Sequence, residues 1–245
     1  MGYKKSRVVV FLLILALGQA RTSFGQDIYH AYIRNRMDDW RIFIDQLQNL
    51  GNKTDTLILE LVSYQYGYIG YCMTFDKREE AGKYLDLAEK NIEFLEKKKF
   101  MLPDVYSYKS ALYGFRMKIN PLTVPYNGLK SIRYAKLALE LDCGNYMAHI
   151  QNGNVYCNMP ASIGGSVRKG LSSYLKAREL LEDDPGGTEG KWQYLNLLTV
   201  IAQSYSSIND LSSAKSTYEN ILQLEPGFVY VRDILYPGLL KKMEP

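Results

Sequence analysis

Residues 195–226, LNLLTVIAQSYSSINDLSSAKSTYENILQLEP, decide the fold. Apolar or small side chains recur every three or four residues in two runs, one on each side of Asn209 and Asp210. The first run is Leu198, Ile201, Ala202 and Tyr205, and the second is Ala214, Tyr218 and Ile221. This spacing predicts two helices that bury their apolar faces against each other. Two helices of this length cannot bury a core alone, so neighbouring pairs with the same geometry are expected.

Small residues set how closely this pair packs. Ala202 and Ala214 allow the two helix axes to approach to roughly 8–10 Å. Asn209 and Asp210 fall in the turn, where a short polar side chain accepts a hydrogen bond from a free N–H group of the second helix. Pro226 is predicted to end the pair.

The order of these residues resembles the tetratricopeptide repeat (TPR), whose pattern recurs at about 34 residues. Most signature positions match, with Ile221 where Ala is usual. The resemblance implies an all-α solenoid of helical hairpins, wound as a right-handed superhelix and closed by capping helices. It also implies a role in binding a protein or peptide on the concave face.

Weaker copies of the same frame precede the best one. The clearest repeats are 146–185 and 195–228, and two degenerate ones lie upstream. The repeat at 146–185 carries an insertion, NMPASIGGS, whose Pro and Gly-Gly resemble those of secreted bacterial TPR proteins such as the T component of TRAP-type transporters. We predict a turn with positive φ and Ser166 as helix N-cap; the alternative is an anion site at the helix N-terminus.

Helical periodicity covers nearly all of the chain after residue 27, as one continuous domain. Predicted helices are 28–49, 55–74, 77–99, 104–118, 128–142, 146–157, 166–182, 189–206, 210–223 and 227–236. Residues 27–50 and 227–243 are expected to cap the two ends, with Pro237 breaking the last helix.

The first 25 residues have the pattern of a cleaved secretory signal. Lys4, Lys5 and Arg7 precede the apolar run VVVFLLILALG, and small residues follow. We predict cleavage before Gln26, with a cut after Ala20 as the second choice. The mature domain, 26–245, is therefore expected in the periplasm, and secretion is the second choice. An uncleaved membrane anchor is the remaining alternative.

Removing the signal removes the basic excess. The full chain has Lys+Arg 30 and Asp+Glu 26, and residues 1–25 contain four basic residues and no acidic one. The mature chain is therefore neutral overall, which gives no general attraction to nucleic acid or to an anionic membrane. Lys97, Lys98 and Lys99 are expected at a solvated helix C-terminus.

The sequence offers little for catalysis or metal binding, and we expect no enzyme, metal or cofactor. His149 is assigned to packing and His30 to the surface. The cysteines Cys72, Cys143 and Cys157 have no zinc-type spacing and are expected to be buried free thiols.

A concave groove is the predicted binding site. First-helix positions between the signature residues map to Ile150, Asn154, Asn196, Thr199, Gln203 and Ser206. An uncharged polar groove favours a protein or peptide partner. The identity of the partner and the oligomeric state of this protein stay open. The alternative is a small-molecule-binding accessory protein of a solute transporter, for which we expect an enclosed apolar pocket lined by Tyr.

Overall fold

The structure, a computed structural model, describes residues 25–244, and those residues form helices without strands. The described part of helix α1 covers residues 25–33. The other helices are α2 Met37–Asn49, α3 Asp55–Thr74, α4 Arg78–Lys97, α5 Leu102–Ile119, α6 Val124–Leu141, α7 Tyr146–Asn158, α8 Val167–Asp183, α9 Trp192–Ser207, α10 Leu211–Leu224 and α11 Tyr236–Met243. The predicted signal peptide lies outside the described residues, apart from Gly25.

Antiparallel neighbours pair along the chain as α3 with α4, α5 with α6, α7 with α8, and α9 with α10. These four hairpins confirm the predicted all-α, TPR-like architecture. Their first helices, α3, α5, α7 and α9, face a common interior.

The best repeat is built as its sequence predicts. Ala202 on α9 and Ala214 on α10 are fully buried, and Tyr218 on α10 is 3% exposed. The Asp210 carboxylate accepts a hydrogen bond from the Ser213 backbone N–H at 3.1 Å, while Asn209 has a φ of 63° in the turn. Asp210 therefore caps the second helix, and Asn209 supplies the left-handed residue of the turn.

Two glycines allow α7 and α8 to cross closely. A Cβ on Gly153 would lie 2.4 Å from the Tyr174 ring, and one on Gly170 would lie 2.3 Å from the Cys157 sulfur. Contacts this short would force the helices apart, so these positions require glycine. In the repeat at 146–185, the small residues thus lie where α7 and α8 approach each other most closely.

The inserted loop after α7 is a structured turn. Gly164 has a φ of 104°, and the Ser166 hydroxyl accepts a hydrogen bond from the Lys169 backbone N–H at 3.3 Å. Both the positive φ and the N-cap are as predicted. A 3-10 turn, Ala161–Ile163, projects the exposed Ile163 side chain at the end of this loop.

Three details differ from the sequence-based prediction. The predicted helix 28–49 is interrupted at 34–36, because Asn35 takes a left-handed φ of 53°. Helix α6 begins four residues early, at Val124, since Pro125 occupies its first turn, where no N–H is needed. Pro237 does not break the last helix, because a π-helical segment, Val231–Leu235, precedes it and shifts the hydrogen bonding.

The two ends of the hairpin array meet. The Tyr29 hydroxyl donates to the Glu225 carboxylate at 2.9 Å, and the Tyr32 hydroxyl donates to the Asn196 side chain at 3.2 Å. Tyr32 also packs against Phe228, with ring centroids 4.9 Å apart. The N-terminal helix therefore contacts the last repeat in addition to covering the N-terminal end of the hairpin array. This contact closes one side of the interior.

The cysteines are free, as expected, but they differ in exposure. Cys72 is buried, Cys157 is partly buried and Cys143 is exposed, so the prediction of burial is wrong for Cys143. Cys143 follows the last turn of α6 in the exposed connection to α7, where a small side chain meets little packing. Among the described residues, no helix is both long enough and apolar enough to cross a membrane.

Candidate binding cavity

A cavity of about 980 Å³ occupies the interior that the first helices face. Residues of α3, α5, α7 and α9 line it, and the start of α6, the inserted loop and the C-terminal segment complete its wall. This volume is at the upper end of the range of about 300–1,000 Å³ that small-molecule sites occupy. The concave face therefore holds a partly open cavity large enough for a small molecule.

Aromatic side chains form much of its wall. Tyr66 on α3 packs against Phe115 on α5, with ring centroids 5.7 Å apart. Phe75, at the end of α3, approaches Tyr230 near the C-terminus at 6.4 Å. Because aromatic faces offer large apolar area at low entropic cost, these rings favour a flat or bulky apolar ligand.

Asn154 on α7 organises the polar part of the wall. Its amide nitrogen donates to Gln151 at 2.9 Å and to the Tyr66 hydroxyl at 3.4 Å. The Tyr174 hydroxyl donates to the Asn154 carbonyl oxygen at 2.7 Å. This network fixes the orientation of the Tyr66 ring and satisfies the polar atoms behind it.

The tyrosines of this network stay neutral. Burial raises the pKa of Tyr66 and of Tyr174, and burial also raises the pKa of Tyr32 on the opposite wall. Removing a phenolate from water is unfavourable, so these hydroxyls remain protonated throughout the physiological range. The interior of the cavity therefore presents dipoles and no charge.

Trp192, at the start of α9, carries a buried donor without a partner. The side chain is 4% exposed, lines the cavity and stacks edge-on against Trp40. Its indole N–H is buried with no hydrogen-bond partner among the described residues. Gly67 makes room for both indoles, because a Cβ there would lie 2.7 Å from each ring.

The mouth of the cavity is apolar and open to solvent. Leu129 on α6 is 72% exposed, Ile163 in the inserted loop is 65% exposed, and Ile132 on α6 is also exposed. All three line the cavity. Large apolar side chains left in water at the rim of a concave site indicate a binding surface.

Lys118, near the end of α5, carries the charge of the site. No Asp, Glu, Arg or His is present among the described residues that line the cavity, and Lys118 is their one charged side chain. The described histidines lie elsewhere: His30 is exposed, and the His149 ring binds the Cys143 carbonyl oxygen at 2.9 Å. No group of three or more metal-binding side chains occurs in the described part of the chain.

The structure brings together four of the six side chains predicted for the groove. Asn154, Asn196, Thr199 and Gln203 line the cavity. Ile150 and Ser206 do not line it: Ile150 is 5% exposed within the core, and Ser206 is partly buried outside the wall. Helical spacing therefore predicted the inner side of α7 and α9 for these four residues. Ile150 lies one helical turn before the lining Asn154, and Ser206 lies beside the lining Ser207.

Sequence reasoning missed the aromatic and apolar half of the cavity. Tyr66, Phe115 and Leu129 come from the degenerate repeats, whose frame could not be aligned to the signature. The sequence did contain a signal for a cavity, namely glycines within the helices of these repeats: Gly67 and Gly70 on the tyrosine-rich α3, Gly114 on α5 and Gly128 on α6. All four glycines line the cavity.

Comparison with known proteins supports the fold. No protein-family model matches the sequence, and no characterised protein matches it by sequence. The structure is similar to a thermophilic TPR protein of Thermus thermophilus, with TM-score 0.55, 16% identity, and coverage of 97% of this chain and 98% of that one. It is also similar to the HusA haemophore of Porphyromonas gingivalis, with TM-score 0.56, 14% identity, and coverage of 76% and 93%. The chain thus has a TPR-like fold.

Proposed function

We propose that the protein binds a bulky, mainly apolar small molecule in the cavity between its first helices. The observation that carries this proposal is the cavity itself, because its volume, aromatic wall and neutral polar groups match a small-molecule site. We also propose that the protein acts without catalysis, as an exported carrier or an accessory to a transporter.

The second candidate is a protein or peptide partner, as the TPR resemblance implies. The exposed side chains Leu129, Ile132 and Ile163 at the mouth favour it, because an amphipathic helix or an extended segment buries such residues. The largely apolar, aromatic wall of the cavity favours the smaller ligand, since an extended backbone would leave many of its polar groups unpaired against it.

One neighbour in fold is a haemophore, so a porphyrin belongs in the set of ligands to test. A porphyrin is flat and largely apolar, which suits walls made of Tyr66 and Phe115. Since no described histidine lines the cavity, the ring would be held by stacking and apolar contact rather than by histidine ligation.

The binding proposal is tested with Nile red, a neutral dye that fluoresces strongly in apolar surroundings. We expect saturable binding to the purified protein and its loss in Gly114→Phe. Gly114 lines the cavity, and an added Cβ there has no atom within 4 Å, so the substitution begins in open space and its ring takes up cavity volume.

The matched control is Gly82→Phe on α4, which is equally open and lies outside the described cavity wall. It should bind the dye as the unaltered protein does. Absence of binding, or equal binding by Gly114→Phe, would overturn the proposal and favour a protein partner, for which crosslinking in native cells is the next measurement. Protoporphyrin IX is then compared by displacement of the dye.

Export is a separate proposal, supported by the signal-like sequence of residues 1–25. The N-terminal sequence of the protein recovered from its native cells should begin at Gln26. A protein that still begins at Met1 would contradict it.

A further inference from the structure

We infer that the ligand is an organic anion whose carboxylate, or a similar acidic group, binds Lys118 at the mouth while its apolar body enters the cavity. This inference rests on the proposed function, and it specifies the charge and the orientation of the ligand.

The first argument comes from the basic residues of helix α5. Lys109 forms an ion pair with Glu96, and Arg116 forms ion pairs with Glu89 and Asp86, all on the neighbouring helix α4. Lys118 has no ion pair or hydrogen bond with the described residues, and it lines the cavity. Two of the three cations thus hold helices together, and the third is left available to a ligand.

The second argument is the charge of the wall. The described lining contains no carboxylate, so nothing in the site compensates a cationic ligand. The helix dipole favours a cation at the end of α5, which explains a lysine there but does not explain the absence of acids from the other described segments of the wall. An anionic group at Lys118 is the charge that this arrangement stabilises.

The third argument is the polarity of the interior. Tyr66, Tyr174 and Tyr32 stay neutral, so a second charge placed deep in the cavity would lose its hydration without a partner. Neutral polar groups of a ligand are matched instead by the side-chain amides of the wall, among them Asn154, Asn196 and Gln203. The ligand is therefore amphipathic, with its charge at one end.

A matched pair of probes tests the inference: 1-pyrenebutyric acid and its uncharged methyl ester, both followed by pyrene fluorescence. We expect Lys118→Gln to weaken the binding of the acid about tenfold, which corresponds to about 1.4 kcal/mol, and to change the binding of the ester less than twofold. Added salt should weaken binding of the acid to the unaltered protein and leave the ester unaffected.

The control is Lys136→Gln, on the outer face of α6, where Lys136 lies 3.5 Å from Glu140 and outside the described wall. It should bind both probes normally. If Lys118→Gln weakens both probes equally, or neither, the inference fails although the cavity binds small molecules. If neither probe binds the unaltered protein and Nile red also fails to bind, the proposed function fails together with the inference.

Discussion

The hairpins α9–α10 and α5–α6 have the same topology but use their apolar residues differently. Helices α9 and α10 pack against each other, and Ala202 and Ala214 are both fully buried. Between α5 and α6, the close contact is polar: the Ser110 hydroxyl donates to the Ser131 carbonyl at 2.8 Å, and the Ser131 hydroxyl donates to the Ser110 carbonyl at 2.9 Å.

The consequence is visible on the second helix of each pair. In α10, Tyr218 and Ile221 are buried against α9. In α6, Leu129 and Ile132 are exposed, and both side chains line the cavity. A repeat that keeps the signature buries its apolar surface within the fold, whereas a degenerate repeat leaves apolar surface for a ligand.

The largest effect is expected for Tyr218→Asp in the regular hairpin. Tyr218 is 3% exposed, so the variant places a carboxylate at a buried position, and we expect a loss of more than about 4 kcal/mol in the free energy of unfolding. Urea denaturation followed by circular dichroism measures it. The exposed neighbour Ser216→Asp should change the stability by less than about 0.5 kcal/mol. Equal stabilities for the two variants would show that the repeat frame is misplaced.

A pair of identical truncations measures the contrast between the hairpins directly. Leu198→Ala in α9 removes a fully buried side chain and should cost about 3 kcal/mol, because the cavity that it leaves cannot fill. Leu129→Ala in α6 removes a side chain that is 72% exposed and should change the stability by less than about 0.5 kcal/mol.

Ligand binding should respond in the opposite order. Leu129→Ala should weaken the binding of Nile red severalfold, since Leu129 lines the mouth of the cavity. If Leu129→Ala is as destabilising as Leu198→Ala, the α5–α6 hairpin belongs to the core, and the contrast between the two hairpins disappears.

The smallest effect concerns pH and again uses Tyr218. Burial raises the pKa of Tyr218 to about 12 from its ordinary value near 10. The unfolded chain therefore releases this proton first, and its contribution to stability is complete below pH 10 and is lost as the pH rises from 10 to 12. Tyr218→Phe should leave the free energy of unfolding at pH 7 nearly unchanged. Between pH 10 and pH 12, that free energy should fall less steeply with pH than in the unaltered protein, by up to the slope that one proton contributes. An unchanged alkaline slope would show that the phenol is hydrated in the folded protein.

The sequence was informative about the bounds of some helices and about the inner face of the intact repeats. Apolar spacing placed α3 at 55–74 with both ends correct, and it placed Asn154, Asn196, Thr199 and Gln203 on one interior face. It was less informative where helix continuity depends on the backbone conformation of one residue, as at Asn35. It also did not indicate the π-helical segment that lets the helix continue through Pro237.

The polar character of the predicted groove came from using the intact repeats alone. Those repeats contribute asparagine, threonine and glutamine to the wall. The degenerate repeats contribute Tyr66, Phe115 and Leu129, whose positions depend on contacts between helices distant in sequence. Local periodicity reports which face of a helix is apolar, and it does not report whether that face meets another helix or a cavity.

The sequence by itself determined the all-helical, TPR-like hairpins of this protein, because the spacing of small and large apolar residues is a local property of each helix. The tertiary structure alone decided that the ends of the array meet through Tyr29, Tyr32 and Phe228, and that the interior becomes an aromatic cavity with Lys118 at its mouth. Those features arise from contacts between residues up to 196 positions apart, which depend on how the hairpins stack and not on the pattern within any one of them.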